Sequence, residues 1–380
     1  MTHGVGKVLV IGGGVIGCAI ALALARRGVQ ALVLERGEAR VELPGETGAS
    51  SWAAAGIVSA QIATRADGPL ARLCVAGRAL YPAFAATLRE LTGLDVELRA
   101  AGVLRPAFAD SELRAFAAES AWQEPAGLRV ERLDAAGVRA LEPALSPEVV
   151  GALRFPDDPR VDPPSLLAAL RAAIERAGAE LRTGAGVRRI LVSEGRARGV
   201  ELADGSTLAA SAVVVAAGSW SSLVDGAALP AGSVEPARGQ IVELAVERQV
   251  LRGVVDGADV YLSPRDDGRI LVGSTVELAG YRRGATAAAV RDLLAGAIRL
   301  VPELADATVT RAWAGFRPYT KDELPVIGPA DIDGLLVATG HFRNGVLLAP
   351  VTGEIIAALI LGEAPAHDIA AFSPGRLRGL

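Results

Sequence analysis

A chain of 380 residues and 38.9 kDa can bury more than one core, so two connected domains are expected. The formal charge is -4, with 39 Lys and Arg against 43 Asp and Glu and no basic block, which excludes a nucleic-acid partner. Only 4 % of the residues are aromatic while glycine numbers 44, a balance that suits a tightly packed α/β enzyme better than a base-stacking surface.

The first predicted element is an apolar strand, Val8 to Ile11, broken by three glycines and followed by an apolar helix from Val15 to Arg26. The chain turns at Gly28 and returns as a strand ending at Glu35. Gly12, Gly14 and Gly17 have G-x-G-x-x-G spacing, which permits a tight turn, close approach of a pyrophosphate and close packing of helix on strand. Val15 and Ile16 open the helix, whose free N–H groups face phosphate, and Glu35 is placed to accept both hydrogen bonds of an adenosine ribose. Arg36 adjoins that site. An aspartate there would leave NAD and FAD equally open; glutamate leans toward FAD.

The run Val15 to Ala25 is too short for a membrane span, and a nucleotide fingerprint inside it makes a signal peptide a poor reading. A cytoplasmic protein with no membrane partner is expected. Cys18 and Cys74 have no C-x-x-C partner, and His3, His341 and His367 are too few for a zinc site, so no metal is expected.

A polar stretch, Arg36 to Gly48, leads to TGASSWAAAGIVS, Thr47 to Ser59. Its small residues, Ser50, Ser51, Ala54, Ala55 and Gly56 among them, read as backbone wrapping a pyrophosphate and passing a flavin ring, with Ser50 or Ser51 also able to cap a helix. An amphipathic helix is predicted from Leu70 to Leu91, strand-like pieces from Val96 to Phe108, and helices over Asp110 to Glu124 and Leu133 to Leu145. Pro163 and Pro164 open a helix, Ser165 to Ala177. Strands follow at Glu180 to Arg182, Val187 to Val192 and Arg198 to Leu202, with Val187 assigned to the cofactor. Ala212 to Ala217 is apolar enough for an interior parallel strand, and its end, Ala217, Gly218 and Trp220, faces the ligand crevice. Further strands are expected at Val234 to Leu244, Asp259 to Pro264, Ile270 to Ser274 and Val309 to Pro318, with a helix from Ala285 to Ile298. The last helix is predicted from Pro350 to Leu361.

Several separated motifs then coincide: the glycine fingerprint, SSWAAAGIVS, VVVAAGSWS, YLSPRDDGRILVGSTVE, WAGFRPYTKDELPVIGP and TGHFRNGVLLAPVTGEIIAALI. Together they resemble the D-amino-acid-oxidase branch of FAD-dependent oxidases, and most closely its bacterial glycine oxidases of thiamine biosynthesis. The resemblance implies a glutathione-reductase-like Rossmann domain over residues 1–90, 155–225 and 316–380, interleaved with an α+β substrate domain over 91–154 and 226–315 that carries a mixed or antiparallel sheet. It also implies noncovalent FAD, molecular oxygen as acceptor, a small amino acid as substrate and a homotetramer. Related sarcosine oxidases tether FAD through a late cysteine, and no cysteine follows Cys74 here.

By the same resemblance Arg317, in R-P-x-T-K-D, grips the substrate carboxylate, Tyr261 contacts its second side, and Arg343, in G-H-F-R-N-G, lies near flavin and substrate. The chain departs from the pattern at Tyr319, Asp259 and Val276, where glycine, histidine and methionine are expected. The residue chemistry agrees: a guanidinium fork fixes a carboxylate plane better than an ammonium. Asn344, Gly345, Val346 and Leu347, ahead of the last helix, offer backbone to the N1–C2=O edge of an isoalloxazine. His341 reads equally as a packed core residue or a base, and hydride transfer from Cα of a neutral amine to N5 needs no base. A D-amino-acid dehydrogenase using a quinone, a non-catalytic flavin-binding subunit and an NAD enzyme remain as alternatives.

Overall fold

The structure, a computed structural model, describes residues 6–37 and 48–379, so His3 and most of the polar stretch before Gly48 lie outside the described residues. Strand β1 (Val8–Ile11), helix α1 (Val15–Arg26) and strand β2 (Ala31–Leu34) form the predicted opening unit. Then come α2 (Ser50–Ala53), α3 (Pro69–Thr92), β3 (Val103–Ala107), α4 (Asp110–Glu119), β4 (Glu131–Asp134), α5 (Ala135–Leu141) and β5 (Gly151–Phe155). Helix α6 (Pro163–Arg176) precedes β6 (Glu180–Arg182), β7 (Val187–Ser193), β8 (Arg196–Leu202), β9 (Thr207–Ala209) and β10 (Ala212–Val215). The remainder is β11 (Glu235–Ala245), β12 (Val254–Asp256), β13 (Tyr261–Pro264), β14 (Arg269–Gly273), α7 (Ala287–Leu300), β15 (Thr308–Tyr319), β16 (Val326–Pro329), β17 (Leu335–Thr339) and α8 (Gly345–Ile360).

These strands make a Rossmann-like sheet in the order β16-β17-β10-β1-β2-β6, a separate, mostly antiparallel sheet in the order β15-β11-β14-β13-β12-β3-β5-β4, and a small sheet in the order β7-β8-β9. In the first, β1 pairs in parallel with β2 and β10, and every residue of the three is buried, because α1, α6 and α8 cover one face and the small sheet β7-β8-β9 covers the other. Its carboxyl ends open toward the second sheet, the place where such sheets bind ligands. Strand β15 continues to Tyr319 in register with β11, so the stretch after Phe316 begins as part of the second sheet.

Three predicted helices are corrected. The helix expected to Glu124 stops at Glu119, where Gln123 turns inward and exchanges buried hydrogen bonds with Gln61: Gln123 Nε2 donates to the Gln61 carbonyl at 2.8 Å and Gln61 Nε2 to Gln123 Oε1 at 2.9 Å. Of the stretch expected as helix from Leu133, its beginning pairs with β5 as β4, and the Asp134 carboxylate then caps α5 by accepting from Gly137 N at 2.8 Å.

The last helix starts at Gly345 and carries Pro350 in its interior rather than its first turn. Proline has no N–H for the Val346 carbonyl, and the buried Tyr81 hydroxyl of α3 donates to that carbonyl at 2.6 Å instead. Tyr81→Phe leaves this carbonyl without a donor and is expected to lower unfolding free energy by about 1–3 kcal/mol in chemical denaturation. An unchanged midpoint would show that the bond does not support the helix. Helix α8 with the turn before it is long and apolar enough to cross a membrane, yet 72 % of its most apolar window is buried, with Leu348 and Ile355 joining Leu22 of α1 and Leu73 of α3 in one core.

Candidate active site

A cavity of about 1490 Å³ runs from the turn after β1 to the face of the eight-stranded sheet. Sites for single small molecules occupy roughly 300–1,000 Å³, so this one has room for a dinucleotide and a further small ligand.

At the nucleotide end the cavity is lined by Gly12, Gly14, Val15, Ile16, Glu35, Arg36 and Val187. Glu35 already accepts from backbone, Gly13 N to Oε2 at 2.7 Å and Gly37 N to Oε1 at 2.8 Å, which holds its carboxylate at the end of β2. Ser51 does not cap the short helix it belongs to, as expected of it. Its hydroxyl accepts from Val15 N at 3.1 Å, across at the N-terminus of α1. Arg36 stacks on Trp220, 3.8 Å from the ring centroid, and Trp220 stacks in turn on Tyr281. Gly17 is the exception among the fingerprint glycines: it faces away from the cavity, where a Cβ would lie 1.9 Å from the Gly12 carbonyl oxygen, so it serves the helix–strand contact alone.

The middle of the cavity is bounded by Ser50, Ser51, Ala54, Ala55 and Gly56 on one side and Ala217, Gly218 and Trp220 on the other. The small-residue segment is pinned from the second sheet. Trp313 Nε1 donates to the Ala53 carbonyl at 3.2 Å, and the fully buried Arg265 donates to the Ala55 carbonyl at 2.7 Å while pairing with Asp162.

At the far end Arg317 and Tyr261 converge over two glycines. Arg317 lies across Gly239 of β11, where a Cβ would be 2.1 Å from its Nη1, and Tyr261 leans across Gly273 of β14, where a Cβ would be 2.3 Å from its hydroxyl. Arg317 is held by Nη2 donating to Ser274 Oγ at 2.6 Å and Nη1 to the Thr275 carbonyl at 3.0 Å. Burial pushes the Tyr261 phenol up and the Arg317 guanidinium down, each opposed by the other's presence. Two of the five guanidinium N–H groups of Arg317 are thus engaged, and Tyr261 is a further hydrogen-bonding neighbour of the same guanidinium.

Arg343 lines the same end, exposed on the turn Phe342–Asn344, with Asn344, Gly345 and Val346 beside it. Because α8 begins at Gly345, the N–H groups of Gly345, Val346 and Leu347 are those of a first helical turn, which have no partner inside the helix. The Leu347 side chain, counted with the cofactor residues, points into the core and does not line the cavity. His341 is buried, its Nε2 3.1 Å from Thr352 Oγ1, and burial pulls its pKa down to about 3, so the ring is neutral at physiological pH.

A sequence profile described as FAD dependent oxidoreductase matches residues 7–359. The chain belongs to this family. It is 36 % identical to the glycine oxidase of Geobacillus kaustophilus over 98 % of its own length and 97 % of that protein's. The crystal structure of glycine oxidase from Geobacillus kaustophilus superposes with a TM-score of 0.90 at 34 % identity, covering 97 % of this chain and 98 % of the other. A bifunctional ThiO/ThiG protein of Nostoc is 36 % identical over 94 % of this chain, which spans about half of it (53 %).

As an FAD-dependent oxidoreductase the protein binds FAD, and the residues present fit that group. Side chains are missing where the dinucleotide must pass: Gly12 has φ +109° with no room for a Cβ beside the Ala216 carbonyl. Sequence reading missed five contributors. Gly239 and Gly273 make the trough under Arg317 and Tyr261, and a glycine inside a strand was their available signal. Arg171 of α6 donates to the Gly13 carbonyl at 3.4 Å and brings a cation to the phosphate end, a placement no local pattern announces. Asp256 and Arg105 reach the far end from β12 and β3. The two-residue register that aims them is set by partner strands.

Proposed function

We propose that this protein is an oxidase of glycine and other small amino acids, producing a 2-oxo acid, ammonia and hydrogen peroxide. The observation that carries the reading is the pair Arg317 and Tyr261, seated over Gly239 and Gly273 at the end of the cavity away from Glu35. Arg317 presents its guanidinium to one side of a carboxylate, Tyr261 donates its hydroxyl to the other, and Arg343 adds a second cation to the cavity. With the carboxylate fixed in a plane, the Cα–H bond has one orientation relative to the cavity axis. When bound, FAD supplies the hydride acceptor at N5 and passes the electrons to oxygen.

The substrate amine gives its proton to solvent, since burial disfavours the protonated ring of His341 and its Nε2 is engaged with Thr352. The first-turn N–H groups of α8 bring the positive end of a helix dipole to the cavity, where negative charge accumulates during the reaction. A homotetramer in the cytoplasm belongs to this reading, as does supply of the glycine-derived imine for thiazole synthesis, the latter in keeping with the fused ThiO/ThiG relatives.

Purified holoenzyme mixed without oxygen with glycine, sarcosine, D-alanine or D-proline is expected to lose its yellow colour with at least one of them, and in air to release one peroxide per substrate oxidised. Bleaching without peroxide would make it a dehydrogenase. No bleaching with any amino acid would leave a flavin-binding protein of another role.

A further inference from the structure

The face of the eight-stranded sheet that forms the cavity floor carries a row of polar side chains on adjacent strands. Arg317 of β15 reaches over Gly239 of β11 to Ser274, next to β14. Tyr261 of β13 pairs with Gly273 of β14 and, on its other side, with Asp256 of β12. Directly paired residues share a face, so Asp256 stands on the Tyr261 side of the sheet. Strand β3 runs parallel beside β12, with Leu104 opposite Val255, and delivers Arg105 to the position next to Asp256.

Asp256 is poorly used by the protein itself. Its closest ion pair is to Arg105 Nε at 3.9 Å, beyond hydrogen-bond range, and it makes no hydrogen bond among the described residues. Arg105 is committed elsewhere: Nη1 donates to Glu119 at 2.9 Å and the guanidinium packs 3.9 Å from the Phe116 ring centroid, while Nε is buried without a hydrogen-bond partner. Asp256, Arg105 and Asp259 line the cavity together.

We propose that Asp256 is a specificity-determining residue, the acceptor of a distal subsite for an amine or amide N–H carried on the side chain of the amino acid whose carboxylate Arg317 holds. This rests on the amino-acid-oxidase reading. The Tyr261 hydroxyl lies above β14 and Asp256 projects from β12, two strand spacings or about 10 Å away. The amine of a glycine held at Arg317 falls short of that distance, and a group several carbons beyond Cα reaches it. The charges agree: Arg317 holds the carboxylate end, while at the distal end Asp256 and Asp259 stand with Arg343 and with Arg105, which Glu119 already neutralises, so carboxylates are in excess there. Such a polarity favours a distal cation or amide donor over a second carboxylate.

The groups facing Asp256 are Arg105, Arg343, Tyr261 and Asp259, and burial pushes its carboxyl up to about 6 against the two arginines. The subsite is therefore anionic at neutral pH and loses its preference for a cation as the pH falls through that value.

The test uses carboxylates that lack an α-amine and so cannot be oxidised: 5-aminopentanoate, the monoamide of glutaric acid, and pentanoate, with holoenzyme in a calorimeter. The amine and amide are expected to bind about tenfold or more tighter than pentanoate at neutral pH, and Asp256→Asn is expected to bring the amine to within about threefold of pentanoate. Asp256→Glu restores part of the difference, and at pH near 5 the amine loses its advantage while the amide keeps more of its own. Equal affinities in the unmutated protein, no binding of any of the three, or an Asn variant with full FAD content and unchanged ratios would overturn the proposal. If glycine bleaches the flavin and the affinities are equal, the subsite fails alone. If the affinities differ as expected and no amino acid bleaches the flavin, the oxidase reading fails alone.

Discussion

Arg317→Ala is expected to reduce kcat/KM for glycine by about 2–5 kcal/mol of transition-state binding, with most of the loss in KM. The side chain is fixed before substrate arrives, by Ser274 Oγ and the Thr275 carbonyl, so its remaining N–H groups meet a carboxylate without an ordering cost. Arg317→Lys keeps the charge and loses the fork, and should recover only part of the loss. Gly239→Ala is the sharper variant. It leaves Arg317 in place in the sequence but sets a methyl 2.1 Å from the present Nη1 position, so the guanidinium must move and glycine KM must rise. Steady-state kinetics over a wide glycine range would check all three. Normal KM in both Arg317→Ala and Gly239→Ala would remove Arg317 from the carboxylate site.

Gly12→Ala is expected to weaken FAD binding about 100-fold or more and to lower the melting temperature, because two penalties fall on one residue. Its φ of +109° is strained for any L side chain, and its Cβ would lie 2.4 Å from the backbone oxygen of Ala216, a residue anchored just past the β1–β10 ladder by its N–H donating to the Ile11 carbonyl. The turn must shift away from β10, and the turn is what presents the N-terminus of α1 to the phosphates. Fluorescence titration of FAD into apoprotein measures the first effect and thermal unfolding the second. Glu35→Gln provides the contrast: its one amide oxygen keeps only one of the two backbone N–H groups that Glu35 accepts, from Gly13 and Gly37, so a smaller loss of both FAD affinity and stability is expected. A Gly12→Ala protein that purifies yellow with unchanged melting would show that the turn accommodates a side chain.

Agreement between sequence and structure is closest where the determinants are local. The strand–glycine–helix–strand unit from Val8 to Glu35 was readable because fingerprint spacing, burial pattern and acid all lie within one short segment, and the structure pairs β1 with β2 in the register that pattern requires. Helix ends were less legible. Pro350 read as a first-turn residue because its missing N–H is harmless there, whereas the folded protein places it inside α8 and lets Tyr81, from another helix, satisfy the carbonyl it orphans. The inward turn of Gln123 likewise depends on Gln61, far away in the chain.

For the site, the chain by itself determined which chemical groups are present: a dinucleotide turn, an arginine and a tyrosine suited to a carboxylate, and a histidine, His341, open to either a core or a base reading. Tertiary structure decided where those groups meet. Arg317, Gly239, Gly273, Tyr261, Asp256 and Arg105 come from six strands, and only the order β15-β11-β14-β13-β12-β3 sets them in one row. Neighbouring strands in that sheet are joined by loops and helices of unrelated length, so the spacing between these residues in sequence holds no trace of their spacing across the sheet. The physical reason is that a strand pattern specifies which face a side chain takes, while its neighbour across the ladder is chosen by packing of the whole sheet.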